Sequence, residues 1–165
     1  MPSNPHSREA ASATVAHVAG RLAFLAAAGD ILASSLDYEQ TLKQVARLVV
    51  PALGDLCIVD VLEGDHVRRV GLEHVLREKC ELLEALAREY PPAIGSPAPA
   101  GRVLAAGVTE LLEHVDNDVV CSHTSETRHA DLIRALGIRS HIAAPMIVLC
   151  GCARSWIASS PRWCG

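Results

Sequence analysis

The fold of this chain is decided by residues 136–148, LGIRSHIAAPMIV. A short helical run over residues 131–136 leads into them and ends on Gly137, a residue that readily adopts the positive φ of a helix C-cap. An apolar run that contains Pro145 begins at once. Because a helix that stops on glycine and passes directly into a buried strand is a fold-level pattern, the stretch predicts a small mixed α and β domain.

The composition is that of a globular chain without a nucleic-acid surface. Half of the 165 residues are hydrophobic but only 3% are aromatic, so a core built of Leu, Val and Ala is expected. The net charge of −4 comes without a basic patch, which argues against a nucleic-acid partner. No apolar run reaches the roughly 18 residues of a membrane span, and the polar start does not resemble a signal peptide. We therefore predict a cytoplasmic protein whose six cysteines are thiols.

The N-terminal part predicts a long helix after a short tail. Residues 1–12 are rich in Ser, Pro and Ala and are expected to be disordered. Residues 13–36 predict a signalling or dimerisation helix, because apolar residues and one glycine recur in steps of three and four. They are Val15, Val18, Leu22, Leu25, Gly29, Leu32 and Leu36. Pairing with a second copy of the chain through residues 15–36 and packing against its own domain both explain this stripe.

The middle of the chain alternates helices and strands. Asp37 is a suitable N-cap for a helix that ends near Pro51. A hairpin is expected from strands at 56–62 and 66–74, with Arg68, Val70, Leu72 and His74 on one face. The remaining expectations are a helix to Tyr90, an extended loop over 91–100, a helix over 102–106, a strand over 108–112, a polar turn region over 113–126, a helix over 128–136 and a strand over 138–148.

Several short motifs follow one another in a family-like order. They include LDYE with TL at 36–42, VARLVVP at 45–51, D-x-C-x-VD at 55–60, REYPP at 88–92, G-x-VL-x-x-G at 101–107, and LGIRS at 136–140 with Pro145 and Met146. Over residues 20–148 the chain resembles a GAF domain, of the type that accompanies PAS domains in bacterial sensor histidine kinases and phosphatase-type signalling proteins. The resemblance implies an α+β fold over residues 37–148, with a central antiparallel sheet flanked by helices. It also implies a small-molecule pocket on one face and output through flanking helices, hence a non-catalytic regulatory module.

Residues 149–165 depart from that pattern. They contain three Cys, both Trp and no acidic residue, a composition foreign to the chain upstream. Our hypothesis is a frameshifted or truncated tail that lacks the last strand and helix of the fold. An unpaired sheet edge with exposed apolar surface is then expected.

Three residues are candidate ligand contacts. Asp60 is a carboxylate within an apolar strand, so if buried it requires a partner such as Arg68 or Arg69, and a structural ion pair and a ligand contact both fit. His74 and His141 lie on predicted strands and would line a pocket if they face it. The ligand and any cofactor are unidentified, and no spacing supports a catalytic set or a metal site.

Two other functions fit the sequence. The chain is also consistent with a dimerisation module whose pocket is filled by its own side chains. A metal or redox sensor that uses Cys121, His123 and His129 is the third interpretation, although their spacing matches no common zinc motif.

Overall fold

One five-stranded antiparallel sheet carries helices on both faces. The computed structural model describes residues 5–34, 37–124, 126–147 and 153–159. The helices are α1 (Pro5–Ser34), α2 (Tyr38–Ala52), α3 (Cys80–Glu89), α4 (Pro99–Ala106), α5 (Asn117–His123) and α6 (Thr127–Leu136). The strands are β1 (Leu56–Glu63), β2 (His66–His74), β3 (Glu110–Leu112), β4 (His141–Ile147) and β5 (Ala153–Ser159). The sheet order is β2-β1-β5-β4-β3, which confirms the predicted α+β class.

The β1–β2 hairpin contains a bulge that the sequence pattern did not predict. Val59 pairs with Gly71 and Asp60 pairs with Arg69, so Val70 is the extra residue of β2. The expectation that Arg68, Val70, Leu72 and His74 share one face is therefore wrong, because a bulge reverses the alternation of a strand. It places Arg69 opposite Asp60.

The sheet separates two apolar cores. On one face, Cys57, Val59 and Val61 of β1 pack with residues of α2, and we call this the α2 face. On the other face, Leu56 and Ile58 pack with buried residues of α3, α4 and α6, namely Leu83, Leu86, Ala100, Val103, Leu132 and Leu136. Because alternate residues of β1 serve the two cores, this strand is shared by both faces of the domain.

The long N-terminal helix rests on α2 with a face other than the predicted stripe. Phe24 packs against the core of the α2 face, and Ala27, Ala28 and Ile31 are half-buried at helical spacing. Five residues of the stripe, Val15, Val18, Leu22, Leu25 and Leu32, are 49–67% exposed, and its last residue, Leu36, lies outside the described residues. Packing against the chain's own domain therefore does not explain the stripe. The helix begins at Pro5, within the segment expected to be disordered.

Part of α1 meets a simple criterion for a membrane helix. Residues Thr14–Ser34 are long and apolar enough to cross a bilayer by length and composition, and none of them is fully buried. The sequence-based expectation found no such run, since Arg21 and Asp30 interrupt it. Length and composition in one helix near an N-terminus are weak support for a span.

The strand expected to be missing occupies the middle of the sheet. Residues Ala153–Ser159 pair along their length with β4, and residues 154–159 of the same strand pair with β1. The prediction of a missing last strand is not confirmed, because Trp156 and Ile157 are residues that favour strands whatever the rest of the tail contains. The expected loss of a closing helix falls outside the described residues.

Candidate functional site

A cavity of about 460 Å³ lies on the face opposite α2. Its apolar wall comes from the sheet, from α3, α5 and α6, and from the loop between α3 and α4. These residues include Leu56, Ile58, Leu86, Val120, Ile133 and Ile138, with three prolines of the loop, Pro91, Pro92 and Pro97, and with Pro99 at the start of α4. The polar groups are Arg69, Glu89, Tyr90, Ser96, His123, Thr124, Glu126, His129 and His141. A cavity of this size, with an apolar wall and a few convergent polar groups, suits a small organic molecule.

The bulge positions the arginine of the cavity. The Arg69 Nε donates to Oδ1 of Asp60 at 2.8 Å, and its Nη2 lies 3.4 Å from Oδ2. Asp60 has no exposed surface and the Arg69 side chain is 11% exposed, so the pair is buried. Arg69 lines the cavity while Asp60 lies behind it. The carboxylate therefore fixes the guanidinium plane and leaves other N–H groups of Arg69 for further contacts.

A second cluster joins the proline-rich loop to the sheet. The Arg102 Nε donates to Oε2 of Glu110 at 2.8 Å, and a second N–H group of Arg102 donates to the carbonyl of Pro97. His141 Nε2 lies 2.9 Å from Oε1 of the same glutamate. The Arg102 guanidinium, with a smaller contribution from His141, lowers the pKa of Glu110 to about 2. Glu110 is therefore ionised over the physiological pH range, and it positions the His141 ring at the cavity wall.

The other two cavity histidines lie in a desolvated setting. Burial, reinforced by the nearby charges of Arg102 and His141, lowers the pKa of His123. Burial also lowers the pKa of His129, and Arg69 adds to that effect while Glu126 opposes it. The ring of His129 stacks on Tyr90, with centroids 4.2 Å apart and planes 6° apart. Burial and Glu126, which accepts a hydrogen bond from the hydroxyl, raise the pKa of Tyr90.

The three predicted ligand contacts lie at different distances from the cavity: one lines it, one lies behind Arg69 and one lies elsewhere. The structure brings His141 to the cavity wall and places Asp60 behind Arg69, as the ion-pair interpretation requires. His74 lies elsewhere, at the end of β2, where its Nδ1 accepts the backbone N–H of Leu76 at 2.9 Å. Partial burial, together with the charge of Lys79, lowers the pKa of His74.

The residues named for a metal site do not form one. Cys121 is exposed on α5, and the His129 ring is stacked on Tyr90. Among the described residues, no group of three or more His, Cys, Asp or Glu side chains is placed to hold a metal ion. No cysteine of the described region lines the cavity either.

Sequence reasoning missed most of the cavity. It treated residues 113–126 as turns, whereas Asn117–His123 form α5, with Asp116 accepting from the N–H of Val119 as an N-cap. Asp116 followed by an apolar pair is a helix-start signal that predicts this element. No local signal predicts the Arg102–Glu110 contact, because it joins two elements that are adjacent only in the fold.

Solved structures with the same architecture come from several bacteria. The GAF domain of a phosphoenolpyruvate-protein phosphotransferase from Coxiella burnetii matches 84% of this chain and 76% of its own, at 14% identity and a TM-score of 0.61. The GAF domain of Nlh2 from A. aeolicus, described in an inactive state, matches 85% of this chain and 80% of its own, at 15% identity and a TM-score of 0.57. The free methionine-R-sulfoxide reductase of Neisseria meningitidis, solved with its substrate, matches 81% of this chain and 68% of its own, at 16% identity and a TM-score of 0.53.

Comparison by sequence finds no counterpart. No family model matches the chain, and no curated protein matches it. Structural likeness at 13–16% identity is informative about architecture alone, and here several neighbours agree on one architecture. The sheet order, the helices on both faces and these neighbours together show that this chain has the GAF-domain fold.

Proposed function

We propose that this chain is a regulatory module that senses a small molecule in the cavity opposite α2 and is not itself an enzyme. The observation that supports it is the cavity of about 460 Å³, which combines an apolar wall with Arg69 and three imidazoles. The runner-up, a dimerisation module whose pocket is filled by its own side chains, is disfavoured by that open volume. His141 and Arg69 are the proposed ligand contacts, and Asp60 is proposed to position Arg69.

One structural neighbour with this fold is a reductase, so the fold is compatible with catalysis as well as with sensing. The structural neighbour from Neisseria meningitidis is an enzyme bound to its substrate, so the fold alone does not decide. In this chain no cysteine of the described region lines the cavity, and Cys57 is buried on the α2 face. Among the described residues, thiol chemistry on a bound ligand therefore has no nucleophile in the cavity, which favours sensing over catalysis.

A ligand signal has a physical route from the cavity to α1. Leu56 and Ile58 of β1 form the cavity floor, while Cys57, Val59 and Val61 of the same strand contact α2. Phe24 then connects α1 to that core. We propose that occupancy shifts β1 slightly and that α2 passes the shift to α1, since close-packed layers transmit such displacements.

The exposed stripe of α1 is the proposed output surface. We propose a homodimer through residues 15–36, in a cytoplasmic bacterial signalling protein of the histidine kinase or phosphatase type. The stripe repeats in heptad steps and stays 49–67% exposed at five positions, which suits a paired helix. Sedimentation of Leu22→Lys with Leu25→Lys should give a monomer where the parent chain gives a dimer. A parent chain that is monomeric at high concentration would contradict this proposal.

Thermal shift against a panel of metabolites, nucleotides and haem tests ligand sensing. A ligand that binds the folded cavity raises the melting temperature by mass action. The control is Ala98→Phe, which adds a ring at a cavity-lining position, paired with Ala105→Phe, which adds the same ring to the exposed side of α4. Stabilisation that survives in Ala105→Phe but disappears in Ala98→Phe supports the proposal. No stabilisation by any compound supports the dimerisation module.

A further inference from the structure

Each charged side chain at the cavity wall already has a partner. Arg69 is held by Asp60 at 2.8 Å, and Asp60 has no exposed surface. Glu89 is held by Arg128 at 3.0 Å on the outer side of the wall. Glu126 is exposed and accepts from Tyr90. No strong unpaired cation or buried unpaired carboxylate therefore faces the cavity among the described residues.

Two of the cavity imidazoles, those of His123 and His129, do not supply an excess charge at neutral pH. His123 and His129 have pKa values lowered by burial, so both rings are mainly neutral at pH 7. The Glu110 carboxylate is compensated by Arg102 and also contacts His141 Nε2, so this carboxylate does not face the cavity unpaired. A neutral imidazole offers one hydrogen-bond donor and one acceptor, which suits a polar group without formal charge.

The stacked rings of Tyr90 and His129 contribute aromatic surface to the cavity wall. Both residues line the cavity, and their planes differ by only 6°. The prolines of the loop provide further rigid apolar surface. Planar rings pack well against aromatic side chains because offset-stacked or edge-to-face contacts add to the gain from burial.

From this charge pairing and this surface we infer that the cavity selects an uncharged, planar aromatic or heteroaromatic molecule that carries hydrogen-bonding groups. An anion at the remaining N–H groups of Arg69 would meet a guanidinium whose charge Asp60 already compensates, and a cation would compete with Arg128 for Glu89. Either ion would otherwise be buried without compensation, which is costly. The inference rests on the proposed function and adds the chemical class of the ligand.

Three probes of one shape and different charge test this class. They are 2-naphthamide, 2-naphthoate and 2-naphthylmethylamine, which are neutral, anionic and cationic at about pH 7.5. Calorimetric titration into the whole chain should show that the amide binds at least about tenfold more tightly than either ion. Its binding should be lost in Ala98→Phe and kept in Ala105→Phe.

The result that overturns the inference is equally specific. If 2-naphthoate or 2-naphthylmethylamine binds as tightly as the amide, with the same loss in Ala98→Phe, the class is wrong while ligand sensing stands. If none of the three binds, the inference also fails, and the thermal-shift panel then decides separately whether the site binds anything.

A change of selectivity provides a second readout. Asp60→Asn removes the carboxylate that compensates Arg69 and leaves the cation facing the cavity. This variant, measured below its melting temperature, should gain affinity for 2-naphthoate relative to 2-naphthamide. An unchanged preference for the amide in the folded variant would show that the Asp60 charge does not set selectivity.

Discussion

Asp60 has no exposed surface, and its carboxylate receives two N–H groups of Arg69. Asp60→Asn keeps the shape but leaves the guanidinium buried without a counter-charge. Because breaking one partner of a buried pair strands a charge, we expect a loss of about 3 kcal/mol or more in the free energy of unfolding, measured in urea.

The control for Asp60 is an exposed pair between α2 and strand β2 of the same hairpin. Arg47 lies 2.8 Å from Glu73 but is 67% exposed, so solvent screens the contact. Arg47→Ala should reduce the free energy of unfolding by less than about 1 kcal/mol. Equal losses in the two variants would mean that burial of the Asp60–Arg69 pair has no energetic weight.

Glu110 gives the fold an acid-sensitive contact. Its pKa is about 2 in the folded protein, below the ordinary value of 4.5, because Arg102 and His141 favour the carboxylate. The stabilisation is thus complete above pH 4.5 and is lost as the pH falls toward 2. The difference in stability between the parent chain and Glu110→Gln should shrink over that window. Glu84→Gln, at an exposed position of α3, is the control and should show a smaller pH dependence.

His123 and His129 of the cavity make stability depend on pH in a second, higher range. The pKa values of these two residues lie below 6.5 in the folded chain, so unfolding takes up protons as the pH falls below that value. We expect stability to decline below pH 6.5 in the parent chain and to decline less in His123→Gln. His129 is affected in the same direction by burial and Arg69, and in the opposite direction by Glu126. Equal slopes in both chains would contradict the desolvation of His123.

At the scale of elements, two helical glycines should respond in opposite directions. A Cβ at Gly101 of α4 would lie 2.4 Å from the carbonyl oxygen of Ala93, within the loop that closes the cavity. A Cβ at Gly29 of α1 meets nothing within 4 Å. Thermal unfolding should therefore show that Gly101→Ala is destabilised, while Gly29→Ala is unchanged or gains up to about 1 kcal/mol from helix propensity. A stabilised Gly101→Ala would mean that the loop does not pack on α4 as described.

Strand β5 is the element on which the sheet depends most. Residue 157 pairs with Ile58 on one side and Ala143 on the other. Ile157→Pro removes a backbone donor in the middle of the sheet, which proline does not tolerate, so the variant should lose the cooperative thermal transition seen by circular dichroism. Ile157→Val, which keeps the donor, should retain it. A folded proline variant would revive the hypothesis that the tail does not belong to the sheet.

The hairpin and β5 also show which parts of the fold were predictable. The β1–β2 hairpin followed from an apolar run over 56–62, a turn at residues 63–65 and a second strand pattern after it, because both strands and the turn are local in sequence. The bulge at Val70 was not predictable from alternation, since the pairing of Asp60 with Arg69 selects it. Strand β5 was not predicted, because the unusual composition of residues 149–165 obscured the short strand-forming run within them. Of the two strands that pair with β5, β1 is also separated from it in the chain by several elements. Local sequence patterns thus predicted most of the helices and strands, whereas the cavity depends on long-range contacts that such patterns do not predict.

At the scale of the whole molecule, the sheet separates a cavity from a helical output surface. The cavity lies on one face, and α2 with α1 lies on the other, with β1 in contact with both. If this arrangement transmits occupancy, a cavity ligand should also change hydrogen exchange in α2. Slower exchange confined to the cavity wall, with α2 unchanged, would leave binding intact and contradict the proposed route.

The measurement that tests the central claim most directly is calorimetric titration of the strongest thermal-shift compound into three chains. The parent chain and Ala105→Phe should bind one molecule each with equal affinity, because Ala105 lies on the exposed side of α4. Ala98→Phe should retain its fold and show no binding, because Ala98 lines the cavity. Equal binding in all three chains would show that the compound binds elsewhere, and the cavity would then not be the sensing site.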